Sequence, residues 1–120
     1  MAAPLHEVVE LPAYLRAAGD VGFSEDERTA VIDALAANPK LGELIVGTGG
    51  ARKFRWAGRG KGKSGGYRIV SYFGGDDVDD IPVFLITVFS KGEKANLTAA
   101  DKVVVRKLTA MLAEYGKDKT

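Results

Sequence analysis

The chain has 120 residues, 46% hydrophobic and 28% charged, with a formal net charge of +1, a single histidine and no cysteine. This length fits one domain with a real core, the lack of cysteine excludes disulfides and thiolate metal sites, and His6 alone excludes a histidine-pair mechanism or a multi-histidine metal site. The longest apolar run, Ile81 to Phe89, is strand-sized and far below the roughly 20 residues that span a bilayer, and the N-terminal MAAPLHEVVELP lacks the basic and apolar regions of a secretory leader, so a cytoplasmic protein without a membrane partner is expected.

Glu7 to Leu11 (EVVEL), short, β-branched and bounded by Pro4 and Pro12, predicts a first strand. Pro12 suits the first turn of a short helix, Ala13 to Ala18, stopped by Gly19. Ser24 to Glu27 has capping-box spacing, in which the Ser24 hydroxyl accepts from the Glu27 backbone N–H while the Glu27 side chain reaches back. The box opens a helix to about Ala37, with Val31, Ile32, Leu35 and Ala36 on its apolar side. Asn38-Pro39 ends it, because a residue before proline avoids the helical region. Leu41 to Val46 reads as a connector, and Gly47-Thr48-Gly49-Gly50 as a turn.

Arg52 to Ala57 alternates Lys53 and Arg55 with Phe54 and Trp56, which predicts a half-buried strand with one basic face. Gly58 to Gly66 reads as a glycine-rich loop, Tyr67 to Phe73 as a strand and Gly74 to Asp80 as an acidic turn. Ile81 to Ser90 is nearly continuous apolar, as in a central strand covered on both faces, with Pro82 at its beginning. Thr98 and Asp101 repeat the cap spacing and start a helix to Tyr115, with Val104, Leu108, Met111, Leu112 and Tyr115 as its apolar stripe and Gly116 as its C-cap. The order β-α-α-β-β-β-α predicts an α+β fold, with a mainly antiparallel sheet from the last three strands and helices on one face. One domain over residues 1–120 is expected, with 117–120 as a polar tail.

Although the net charge is +1, the stretch from Gly47 to Phe73 holds Arg52, Lys53, Arg55, Arg59, Lys61, Lys63 and Arg68 without an Asp or Glu. Positive charge concentrated in this way, with glycines and the aromatics Phe54, Trp56, Tyr67 and Tyr72, suits a surface that grips a polyanion. Ala57 to Ser64 (AGRGKGKS) satisfies a relaxed P-loop pattern, but a P-loop leads from a strand into a helix whose N-terminus holds the phosphates. Here a strand-like YRIVSYF follows. Nucleotide hydrolysis is therefore rejected in favour of a cationic face shared by the loop and the adjoining strands.

The run GTGGARKFRWAGRGKGKSGGYRIVSYF, with the upstream NPKLGELI and the later FLITVFSKGEKANLT, closely resembles the HigB-like branch of the RelE/ParE superfamily of type II toxin–antitoxin toxins. The likeness covers about Leu11 to Tyr115 and rests on the joint spacing of G-T-G-G, R-K, G-K-G-K, G-G-x-R and K-x-E. It implies a RelE-like fold, a mainly antiparallel sheet of about four strands with two N-terminal helices and a C-terminal helix. It also implies a metal-independent endoribonuclease that needs no cofactor, cleaves messenger RNA in the A site of the 30S ribosomal subunit and so inhibits translation. The implied partner is a HigA-like helix-turn-helix antitoxin. The branch often has an asparagine after the strand-end lysine, where this chain has Gly92.

By position, Lys61 and Lys63 match the family's loop lysines, Arg68 the arginine after G-G, and Lys91 the lysine at the end of the last strand. Cleavage by the RNA's own 2′-hydroxyl needs a proton acceptor, cations on the phosphorane-like transition state and a donor to the leaving 5′-oxygen. Arg68 is expected to clamp the scissile phosphate, since a guanidinium binds two of its oxygens. Lys63 or Lys91 is expected to transfer the proton, as crowding among cations lowers a lysine pKa, with Glu93 an outside candidate for the base. Lys61 assists in catalysis, and Arg52, Lys53, Arg55 and Arg59 hold the RNA. Tyr72, on the Arg68 side of its strand, is the better of two tyrosines for stacking on a base. Phe54 and Trp56 are assigned to the core, and Tyr67 suits either role. The lysine pair of the loop is expected to close against Arg68 and Lys91, which requires the latter two to face each other. A ParE-like gyrase inhibitor of the same fold and a plain RNA- or ribosome-binding module are the competing readings.

Overall fold

Local signals account for most elements in the computed structural model, which describes residues 6–57, 66–75, 81–92, 94 and 96–119. They run β1 (Val8–Glu10), α1 (Pro12–Val21), α2 (Glu25–Ala37), β2 (Glu43–Leu44), β3 (Arg52–Trp56), β4 (Tyr67–Tyr72), β5 (Val83–Ser90) and α3 (Ala99–Lys119). Ser24 caps α2 as expected: its Oγ accepts from the Glu27 N–H at 3.2 Å, and its own N–H donates to the Glu27 carboxylate at 3.0 Å. Thr98 and Asp101 make the same reciprocal pair before α3, at 3.1 and 2.9 Å.

Two expected stops are passed. α1 runs through Gly19 and ends at Gly22, φ 74, whose N–H donates to the Ala18 and Gly19 carbonyls. Packing of Tyr14 and Ala18 into the core outweighs the roughly 1 kcal/mol that a glycine costs inside a helix. α3 continues past Gly116 to Lys119, since a glycine ends a helix only where the chain turns left-handed.

The sheet has the order β1-β5-β4-β3-β2. Neighbours from β2 to β5 are antiparallel, and β1 lies parallel to β5. Among the described residues there are thus five strands, the additional one being β2 within the segment expected to be a connector. β5 is an interior strand, as its apolar run predicts, but β4 occupies the middle.

The helices lie on both faces of this sheet, a correction to the one-sided packing expected. On one face Tyr67, Ile69, Phe54 and Leu85 pack with Tyr14 and Ala18 of α1 and Val31 and Leu35 of α2. On the other, Val70, Tyr72, Phe84 and Ile86 pack with Val105 of α3, flanked by Leu108 and Leu112. Every residue of β4 is buried, and an interior strand that is apolar on both sides needs a layer on each.

The buried side of α3 is also rotated from the expected stripe. Val105 and Thr109 are buried, whereas Val104 and Met111 stay 66% and 68% exposed. Thr109 decides the rotation: its hydroxyl donates to the Thr48 carbonyl at 2.7 Å, which docks α3 on the Gly47–Gly50 turn. Thr48 is itself fully buried, donating to the Ile45 carbonyl at 2.7 Å and accepting from the Ala51 N–H at 3.2 Å.

Two glycine substitutions with opposite outcomes test this packing. A Cβ at Gly19 meets nothing within 4 Å, so Gly19→Ala is expected to stabilise by about 0.5–1 kcal/mol. At Gly49 φ is +74 and a Cβ would lie 2.7 Å from the Thr109 hydroxyl oxygen, so Gly49→Ala is expected to destabilise by about 1–3 kcal/mol. Urea midpoints of the two variants read both effects.

Candidate functional site

The period of two in β3 sends Lys53 and Arg55 to one face while Phe54 and Trp56 turn to the core of α1 and α2. In register, Arg55 stands directly opposite Arg68 of β4, and Lys53 lies between Val70 of β4 and Glu43 of β2. Residues directly opposite share a face. A cleft of about 320 Å³ opens there, lined by Glu43, Lys53, Arg55, Arg68, Lys91 and Asn96. Among the described residues, four cations thus line this space with the Glu43 carboxylate.

Arg68 is the least exposed of these cations, at 9%, and its Nη1 donates to the Tyr67 carbonyl at 3.4 Å. Its stem is held by the strand while the guanidinium meets the cleft. Lys91 follows β5 directly, and its backbone N–H donates to the Gly66 carbonyl at 3.2 Å. That bond brings the end of β5 beside the start of β4, so Arg68 and Lys91 line the same cleft.

The β5–α3 connection that carries Lys91 and Asn96 is fastened along its length. Lys94 Nζ pairs with the Asp101 carboxylate at 2.8 Å and sits 5.1 Å from the ring centre of Phe89, the residue opposite Arg68. Hydrogen bonds from Lys94 and from the Thr98 backbone hold the Asp101 carboxyl below the usual carboxylate range. Across the cleft, Lys53 Nζ donates to Asn96 Oδ1 at 2.5 Å.

The cleft gathers Arg68, Lys91, Lys53 and Arg55 from the residues singled out in the sequence. Arg52 is not among them, because it alternates to the opposite face and donates from Nη1 to the Gly42 carbonyl at 3.1 Å. Tyr72, expected to stack on a base, is 7% exposed and packs in the α3 core with Phe84, where burial raises its phenol pKa. Tyr67 takes the core role on the other face, edge-on to Phe23 at 4.8 Å between ring centres. Arg59, Lys61, Lys63 and Glu93 lie outside the described residues. The P-loop-like pattern is followed by strand β4, as argued from the sequence.

Glu43 and Asn96 are cleft residues that sequence reasoning missed. Glu43 would have emerged had LGELI been read as an edge strand pairing with the basic strand; nothing local marks Asn96. Among the described residues, no group of three or more His, Cys, Asp or Glu side chains is placed to hold a metal ion.

No protein-family model matches the chain. Among solved structures it is similar to the E. coli toxin RelE, a double arginine-to-alanine mutant in the free state. The TM-score is 0.55 with 17% sequence identity, covering 82% of this chain and 95% of that chain. The chain therefore has a RelE-like α+β fold.

The Lys94–Asp101 pair gives the site scaffold a pH dependence. A carboxyl with a lowered folded-state pKa contributes stability above its unfolded pKa, about 3.9, and loses it as pH falls through the folded value. Asp101→Asn is expected to cost about 0.5–1 kcal/mol at pH 7, as for a cap with an exposed pair. The difference from wild type should shrink below about pH 4, read by urea unfolding across pH.

Proposed function

We propose that this chain is the toxin of a type II toxin–antitoxin module, a HigB-like ribosome-dependent endoribonuclease that cuts messenger RNA in the A site. Its activity is held in check by a HigA-like helix-turn-helix antitoxin, and its place of action is the cytoplasm, where ribosomes are. Among the described residues, no helix is long and apolar enough to cross a membrane. The observation that carries the reading is the convergence of Lys53, Arg55, Arg68 and Lys91 on one cleft, with Arg55 and Arg68 directly opposite each other. Like charges opposed across a sheet are destabilising, a penalty that a bound phosphate removes. The RelE-like fold and the spacing of G-G-x-R and the strand-end lysine support the same reading.

In the reaction, the 2′-hydroxyl loses its proton and its oxygen bonds the adjacent phosphorus. The bond to the 5′-oxygen breaks and that oxygen gains a proton, leaving a 2′,3′-cyclic phosphate and a 5′-hydroxyl. Arg68, fixed by its strand, binds two nonbridging oxygens and offsets the charge that grows on them. Lys91, at the exposed rim, transfers a proton. Arg55 and Lys53 hold flanking phosphates, which sets register without reading sequence.

Primer extension on messages from cells expressing the chain tests the proposal. Codon-phased cuts are expected, and Arg68→Ala should reduce them by about 10²–10³-fold while the thermal midpoint confirms folding. Loss of supercoiling with intact messages would instead identify a gyrase inhibitor, and intact RNA with ribosome association a binding module.

A further inference from the structure

Among the described residues lining the cleft, Asn96 is the neutral polar side chain beside Phe54 and five charged ones, and its amide has a defined orientation. Lys53 carries only donors, so the amide must turn Oδ1 toward the ammonium and Nδ2 away from it. Among the described residues, Lys53 is the one hydrogen-bond partner of the Asn96 side chain. The side chain is exposed and lines the cleft. A charge-assisted bond to Oδ1 also polarises the amide, which strengthens Nδ2–H as a donor.

We infer that Asn96, oriented by Lys53, is a specificity-determining residue: it presents Nδ2–H donors to the C6 (purine) or C4 (pyrimidine) position of a nucleobase beside the cut and favours guanine or uracil, which carry a carbonyl oxygen there, over adenine or cytosine, which carry an exocyclic amine. The division of labour follows from chemistry. Contacts to phosphate hold the RNA whatever the base, whereas a donor aimed at a fixed angle on a base edge distinguishes bases. Lys53 takes both roles, with one proton committed to the amide and two left for the RNA. This inference rests on the ribonuclease reading above.

The test uses the full chain with ribosomes programmed by a message containing all codons, with cut positions and rates read by primer extension. In Asn96→Ala, the ratio of cuts beside guanine or uracil to cuts beside adenine or cytosine should fall by about tenfold, the loss typical of one hydrogen bond. Asn96→Asp keeps an acceptor for Lys53 but loses both donors, and should lower the ratio equally. Because Lys53 acts through Asn96, adding Lys53→Ala to Asn96→Ala should leave the ratio where the single change put it. Thermal midpoints of the Asn96 variants should stay at the wild-type value, since the side chain is exposed. An unchanged ratio in a wild-type-active background overturns the inference alone, as does impairment by Asp but not Ala, which would mark simple repulsion of phosphate. Absence of cleavage by the wild-type chain overturns the ribonuclease reading, and this inference with it.

Discussion

The position of Arg68 depends on the alternation of side chains along β4. That strand lies in the middle of five and is buried from Tyr67 to Tyr72, so each residue must enter one of two layers. Tyr67 and Ile69 go to the α1–α2 core and Val70 and Tyr72 to the α3 core. Arg68 shares the α3 side but meets the cleft beyond the helix. A slip of one residue would drive its guanidinium into the layer filled by Phe54 and Tyr14, an exchange that burial of an unpaired charge forbids. Packing on both faces therefore sets the site as firmly as any contact within it.

The bulge opposite Val70 and Ser71 accommodates this arrangement. Val70 pairs with Thr87 and Ser71 with Leu85, so β5 carries one extra residue, Ile86. Ile86 and Thr87 both line the groove beside α3, while Leu85 and Val88 stay in the opposite core. The extra residue lets Phe84 meet Tyr72 and Phe89 meet Arg68 on the same side. Phe89 in turn supports Lys94, which links the floor of the cleft to the connection above it.

That connection completes the site from the far end of the chain. Its Lys91 bonds Gly66 just before β4, its Asn96 bonds Lys53 of β3, and its Lys94 pairs with Asp101 of α3. None of these bonds is large alone, and the Lys94–Asp101 pair is partly exposed, where ion pairs contribute little. Together they hold the Lys91 backbone and the Asn96 side chain at the cleft that Arg68 lines. A shared fold does not define a chemistry; the charge and geometry of this cleft carry the functional reading.

Features that depend on neighbours in sequence were legible from the sequence. The two capping boxes need only a Ser or Thr three residues before an acid, and both formed as read. β3, β4 and β5 followed from alternation and apolar runs, and the basic character of β3 was visible as Lys53 and Arg55 against Phe54 and Trp56. Tertiary structure decided the rest. Three consecutive valines, Val103 to Val105, offer no choice of face until Thr109 finds the Thr48 carbonyl 61 residues away. Arg52 and Arg55, three apart in β3, take opposite faces by alternation alone, whereas Tyr72 shares the face of Arg68 yet is covered by the α3 core. Glu43, Asn96 and Lys91 join Arg68 only because pairing of distant strands brings them there. The sequence by itself determined the local elements and the supply of cations; long-range packing decided which cations share a cleft, because the face a side chain takes is set by what the opposite layer must bury.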